Sequence, residues 1–194
     1  MGKPSPIGVV LAGGRARRMG GAKASVQLAG RPLIAWPLAA LRAALEEVVV
    51  VAKADTPLPA LDVPVWTEPD EPAHPRAGIV HALSAAGQRA VLVCAADMPL
   101  VTPELVASLA AAAGAPAVVP RADGRLQPLL ARYEPDALLA LRAAPAGEAL
   151  TATVESLRPR VLDFPNATAF FNVNTPADLD AAAQRIARKQ GNFS

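Results

Sequence analysis

IGVVLAGGRARRMGGAKAS, residues 7–25, passes from a β-branched apolar run directly into glycines, arginines and a lysine. The first six residues read as a buried strand, and the rest as the loop that follows it. In an open α/β sheet, ligands bind outside the carboxyl ends of strands, so the loop marks a site. Gly13 and Gly14 take side chains out of the turn and let backbone N–H groups face a phosphate, while Arg15, Arg17, Arg18 and Lys23 add positive charge. Spacing excludes two familiar phosphate loops. A Walker A loop needs Lys directly after its second Gly, but Ala22 separates Gly21 from Lys23 and Ser25 is displaced by one residue. Gly13-Gly14-Arg15 does not supply G-x-G-x-x-G, which disfavours a dinucleotide-dependent dehydrogenase.

Outward from this stretch, short apolar runs alternate with Ala/Leu-rich segments of helical period, the pattern of an α/β domain with a largely parallel, buried sheet. Candidate strands lie at 7–12, 47–52, 63–67, 90–96, 117–120, 127–133 and 160–164, with helices between most of them. One helix is expected to begin with Pro32 in its first turn and to kink at Pro37. Two others carry start signals: Thr102-Pro103-Glu104, and Thr175-Pro176 followed by Asp178. The final residues, QGNFS, are expected to fray.

A chain of 194 residues, 52% hydrophobic and 19% charged, is long enough for one substantial core and short for two. The expectation is one domain over 1–194 with a structured core over 5–188. The formal charge of +2 comes with no basic stripe, and aromatic content is 4%, so nucleic acid is not the expected partner. Cys94 is the one cysteine and sits within AVLVCAA, which reads as a buried structural thiol in a reducing, cytoplasmic setting. No run is long and apolar enough for a bilayer, and MGKPSPIG lacks the features of a signal peptide.

Asp97 stands at the mouth of the apolar strand over 90–96, where a carboxylate is costly unless paired or metal-bound. Asn172 and Asn174 flank Val173 with period two, so an extended backbone projects both amides to one face. His74 and His81 have no metal-ligand spacing with a cysteine or a third histidine.

LAGG, then RRMG, then a lysine resembles the signature loop of nucleotidyltransferases, and the match is best to the molybdenum cofactor guanylyltransferase family. That family's opening, approximately LAGG-x-S-x-RMG-x-DK, is matched at Leu11, Ala12, Gly13, Gly14, Arg18, Met19, Gly20 and Lys23. Further similarity follows at 31–34, 77–83, 96–105, 127–133 and 170–179, so the resemblance covers about the whole chain. NVNTP, at 172–176, separates the guanylyltransferases from related cytidylyltransferases, which tend to carry Asp there.

The resemblance implies a Rossmann-like three-layer α/β/α nucleotidyltransferase fold with a mostly parallel mixed sheet. It implies GMP transfer from GTP to molybdopterin or Mo-molybdopterin, with release of pyrophosphate and use of Mg²⁺. Asp97 becomes the metal ligand, and Lys23 and Arg18 neutralise the triphosphate. Leu11, Ala12, Gly13, Gly14 and Gly78 line the nucleotide, Asp70 or Glu68 meets the guanine, and Asn172 and Asn174 meet the pterin. Molybdoenzymes or cofactor-assembly proteins are the expected downstream partners. The chain departs from the family pattern at Ala22, usually acidic, and at His74-Pro75-Arg76, usually Gly-Pro-Leu. It departs again near Val51 and Lys53, where the family carries Asn. These departures keep three alternatives open: molybdopterin cytidylyltransferase, phospholactate guanylyltransferase, and a noncatalytic nucleotide-binding protein of cofactor assembly.

Overall fold

The computed structural model describes residues 4–13, 23–72 and 74–191. Ile7–Leu11 (β1) forms the heart of the sheet, with every residue buried. β1 pairs in parallel with Val48–Lys53 (β4) on one side and Val91–Ala95 (β6) on the other. Val65–Glu68 (β5) extends the sheet beyond β4, also in parallel. On the far side of β6 lies Leu130–Tyr133 (β9), antiparallel to β6 and to Ala117–Ala122 (β7). Arg160–Phe164 (β10) closes that edge, parallel to β7. The order is thus β10-β7-β9-β6-β1-β4-β5, with Arg125–Leu126 (β8) paired to β7.

Strands made of valine and leucine on both sides need both faces covered. Val10, Val50, Leu92 and Cys94 pack under Ala35–Ala44 (α1) and Pro103–Ala111 (α3), through Leu38, Leu41, Leu105 and Leu109. Val9, Val49, Val51, Val91 and Val93 face the opposite layer of Pro75–Ala86 (α2), Ala137–Ala143 (α4) and Leu150–Ser156 (α5). Consecutive residues of β1 therefore serve opposite layers, and each fully buried Val or Leu contributes about 1.5–3 kcal/mol. A third apolar cluster joins Leu28 and Leu33 to Val173, Ala182 and Ile186. It seats Pro176–Gly191 (α6) beside the small hairpin of Gln27–Leu28 (β2) and Arg31–Pro32 (β3).

Both start signals work as expected. Thr102 Oγ1 accepts from the Leu105 N–H at 3.3 Å, with Pro103 at the first helical position. Thr175 and Asp178 cap each other: the Asp178 N–H donates to Thr175 Oγ1 at 3.2 Å and the Thr175 N–H to Asp178 Oδ2 at 2.9 Å. The helix expected from Pro32 starts later. Pro32 belongs to β3, and Pro37 is buried in the first turn of α1, where a missing N–H removes no intrahelical bond. The expected strand over 127–133 shortens to β9, because a turn bonded from the Leu130 N–H to the Gln127 carbonyl (3.0 Å) precedes it. The 117–120 strand runs on to Ala122 and folds back through Asp123-Gly124, both at positive φ (48° and 72°), into β8. Helix α6 continues through Gly191, and residues 192–194 lie outside the described ones.

Candidate active site

The carboxyl ends of β1, β4, β5 and β6 open on the same edge of the sheet, and the chemistry-bearing side chains gather there. Ala12 extends β1 by donating to the Val51 carbonyl at 2.9 Å, and the Ala96 N–H donates to the Leu11 carbonyl at 3.0 Å. These bonds fix Leu11 and Ala12 against β6 and β4.

Lys23 opens a short 3-10 turn after the loop, and its ammonium crosses to the end of β6. Nζ donates to Asp97 Oδ2 at 2.5 Å and to Asn174 Oδ1 at 2.8 Å. The two charged side chains are about one-fifth exposed, at 20% and 22%. The other Asp97 oxygen, Oδ1, is buried without a hydrogen-bond partner among the described residues. An ionised oxygen desolvated in this way is costly, and a cation is the partner its chemistry calls for. Among the described residues no group of three or more His, Cys, Asp or Glu gathers to hold a metal.

The NVNTP segment is tied to the same place, because the Val173 N–H donates to the Asp97 carbonyl at 2.9 Å. Val173 is fully buried, so Asn172 and Asn174 both turn away from the core. Their neighbours differ: Asn174 accepts from Lys23, whereas Asn172 donates to the Phe170 carbonyl at 3.3 Å and lines a separate cleft. The Asn174 N–H and the Thr175 hydroxyl and N–H hold the Asp178 carboxyl below the usual carboxylate range, with Lys23 adding to the effect.

Glu68, the last residue of β5, is buried between the loop and α2. A Cβ on Gly13 would lie 2.6 Å from Glu68 Oε1, and one on Gly78 would lie 3.3 Å from Oε2 and 3.2 Å from Leu11 Cδ2. The carboxylate thus packs on bare backbone at both glycines, and a side chain at Gly13 would require the Glu68 carboxylate to shift. Burial pushes the Glu68 carboxyl above its ordinary range, and Lys53, its register partner on β4, pulls it back. Asp70 lies two residues beyond the strand with its side chain exposed; its main-chain carbonyl accepts from Lys53 Nζ. Gly14 and Arg18 lie outside the described residues, as do Arg15, Arg17, Met19, Gly20 and Ala22.

Beside Asp97 opens a cleft of about 320 Å³, lined in part by His74, Met98, Gln127, Leu150, Thr151 and Asn172. Leu150 and Thr151 carry no local signal in the sequence and reach the cleft through α5 packing, whereas Gln127 opens the 127–133 segment of family similarity, which suggested no role for it. His74 caps α2, its Nδ1 accepting from the Arg76 N–H at 3.1 Å, so one departure from the family loop still starts the helix. A larger cleft of about 640 Å³ lies by the amino ends of β6 and β7, away from Asp97. Its buried Arg132 and Glu134 are already paired at 2.6 Å.

The MobA-like NTP transferase domain family matches residues 8–160. A molybdenum cofactor guanylyltransferase of Cereibacter sphaeroides is 35% identical over 191 residues, covering 94% of this chain and 97% of the relative. A probable molybdenum cofactor guanylyltransferase of Mycobacterium ulcerans is 37% identical over 187 residues, covering 91% and 92%. The crystal structure of molybdopterin-guanine dinucleotide biosynthesis protein A from Archaeoglobus fulgidus superposes with a TM-score of 0.76 at 30% identity, over 94% of this chain and 99% of that one. Fold, glycine-lined loop and full-length similarity agree, and the chain belongs to the MobA-like NTP transferase family, among relatives curated as molybdenum cofactor guanylyltransferases.

Proposed function

We propose that this protein transfers GMP from GTP to the terminal phosphate of molybdopterin, releasing pyrophosphate, as a single-domain, Mg²⁺-dependent enzyme of the cytoplasm. The carrying observation is the Lys23–Asp97 pair, with its orphaned buried oxygen, at the mouth of the sheet and beside a cleft in which His74, Gln127, Thr151 and Asn172 stand among apolar side chains. Asp97 would hold the metal, which when bound supplies Lewis-acid stabilisation of phosphate charge.

An acceptor phosphate oxygen forms a bond to the α-phosphorus of GTP as the bond to the leaving pyrophosphate breaks. The acceptor is already an anion near neutral pH, so no general base is demanded. The protein's work is positioning and charge neutralisation. Backbone at Leu11–Gly13 cradles phosphates, and Lys23 neutralises charge building on pyrophosphate. Arg18 would assist from the loop. Glu68 would accept from guanine N1–H and N2–H, a reading supported by its carboxylate lying beside Gly13 and Gly78, two expected nucleotide contacts. Asp70, exposed beyond the strand, is the second candidate for that contact. The acceptor would enter the cleft that Asn172 lines, with Asn174 bridging from Lys23 toward it. A receiving molybdoenzyme is the expected downstream partner.

The test is pyrophosphate release with molybdopterin and each of the four nucleoside triphosphates. GTP alone should support turnover. Turnover with CTP instead would make this a cytidylyltransferase, and GTP binding without release would make it a noncatalytic binder.

A further inference from the structure

Arg76 occupies the place where the related loop usually carries an apolar residue, and its guanidinium does not face the nucleotide side. It crosses from the first turn of α2 to the layer's other two helices. Nη2 donates to the carbonyls of Ala144 at 3.0 Å and Pro145 at 2.9 Å, and Nη1 donates to Thr153 Oγ1 at 3.3 Å. Ala144 caps the carboxyl end of α4, where free carbonyls and the helix dipole favour a cation. Thr153 is 1% exposed and lies on α5; its hydroxyl also donates to Glu148 Oε2 at 2.7 Å. One planar fork therefore ties α2, the 144–149 connection and α5 together.

The residues just ahead of these anchors, at the start of α2 and of α5, line the same cleft. His74 and Pro75 immediately precede Arg76, and Leu150 and Thr151 precede Thr153 in the first turn of α5. The Arg76 fork bridges the two elements that carry these lining residues. We propose that Arg76 is a positioning residue for the acceptor substrate, holding the two walls of the cleft at the separation the acceptor needs without touching the nucleotide. This rests on the reading that the acceptor enters the cleft.

The test compares wild type, R76L, R76K and T153V for acceptor KM, kcat and GTP dissociation constant, with hydrogen exchange measured over 144–153. R76L should raise acceptor KM about tenfold, with kcat and GTP affinity within about twofold of wild type, and exchange over 144–153 should rise. R76K keeps the charge and loses the fork, so its KM should fall between the two. T153V should move KM in the same direction, and it keeps the test open if R76L does not fold. A folded R76L with wild-type acceptor KM overturns the proposal, as does an equal loss of GTP affinity. The underlying reading has its own control: Thr151→Trp fills the cleft and should block the acceptor in an otherwise intact enzyme. If T151W leaves acceptor KM unchanged, the acceptor binds elsewhere, whatever Arg76 does.

Discussion

Burial at the end of β5 lets the folded chain hold a proton on Glu68 to higher pH than an unfolded chain would. The folded state then binds more protons than the unfolded state, so stability falls as pH rises out of the ordinary carboxyl range and stays lower above it. Gln carries no such penalty. Glu68→Gln is expected to raise the melting temperature at about pH 7, with the gain shrinking toward about pH 4. The same variant should bind GTP more weakly and discriminate less between GTP and ITP, which lacks the 2-amino group. A stabilised variant with unchanged GTP affinity would move base recognition elsewhere, Asp70 being next in line. At Asp97 the expectation has the opposite balance. Asp97→Asn is nearly isosteric and should stay folded by circular dichroism, yet lose at least about 10²-fold in metal-dependent turnover. The two asparagines should separate as their neighbours do. Asn172→Ala should raise acceptor KM alone, whereas Asn174→Ala, which strips Lys23 of a partner, should also weaken GTP. Identical kinetic profiles for the two would show that the cleft and the Lys23 side are one subsite.

The reciprocal cap of Thr175 and Asp178 joins α6 to the site, because Asp178 also accepts from the Asn174 N–H at 3.0 Å. Thr175→Ala should cost about 1 kcal/mol in denaturant unfolding and raise acceptor KM with it, since the cap holds NVNTP in place. At this scale much of the molecule was legible. The valine-rich strands were readable because burial on both faces leaves no polar alternation, and β10 occupies the residues expected of it, 160–164. Pro103 and Pro176 were readable because the capping threonine precedes each of them. Pro32 misled because a proline suits a strand end as well as a first helical turn, and the pairing with Gln27 decides it. Asp123-Gly124 was an available hairpin signal that went unread. The Lys23–Asp97 contact spans 74 residues and leaves no trace in local pattern; only the family resemblance suggested that the two share a ligand. Spacing did not distinguish Glu68 from Asp70, because it does not display that Glu68 ends its strand inside the protein while Asp70 lies beyond it in solvent.

Across the whole molecule, the sheet brings the loop after β1, the ends of β5 and β6, and the start of α6 to one edge, while α2 and α5 wall the cleft next to it. Under the proposed function, phosphates would lie toward Lys23 and the loop after β1 and the acceptor toward the cleft, with Asp97 between them, the disposition an in-line displacement requires. The larger cleft at the opposite end of β6 takes no part in it. Among the described residues no helix is long and apolar enough to cross a membrane. In the proposed reaction the guanylyl group of GTP passes to the acceptor and not to water. The direct measurement follows GTP labelled at the α-phosphate through one turnover with molybdopterin. Label should appear in a guanine dinucleotide product, formed one-for-one with pyrophosphate; label recovered as free GMP, or a labelled product formed equally from CTP, would contradict guanylyl transfer to the acceptor.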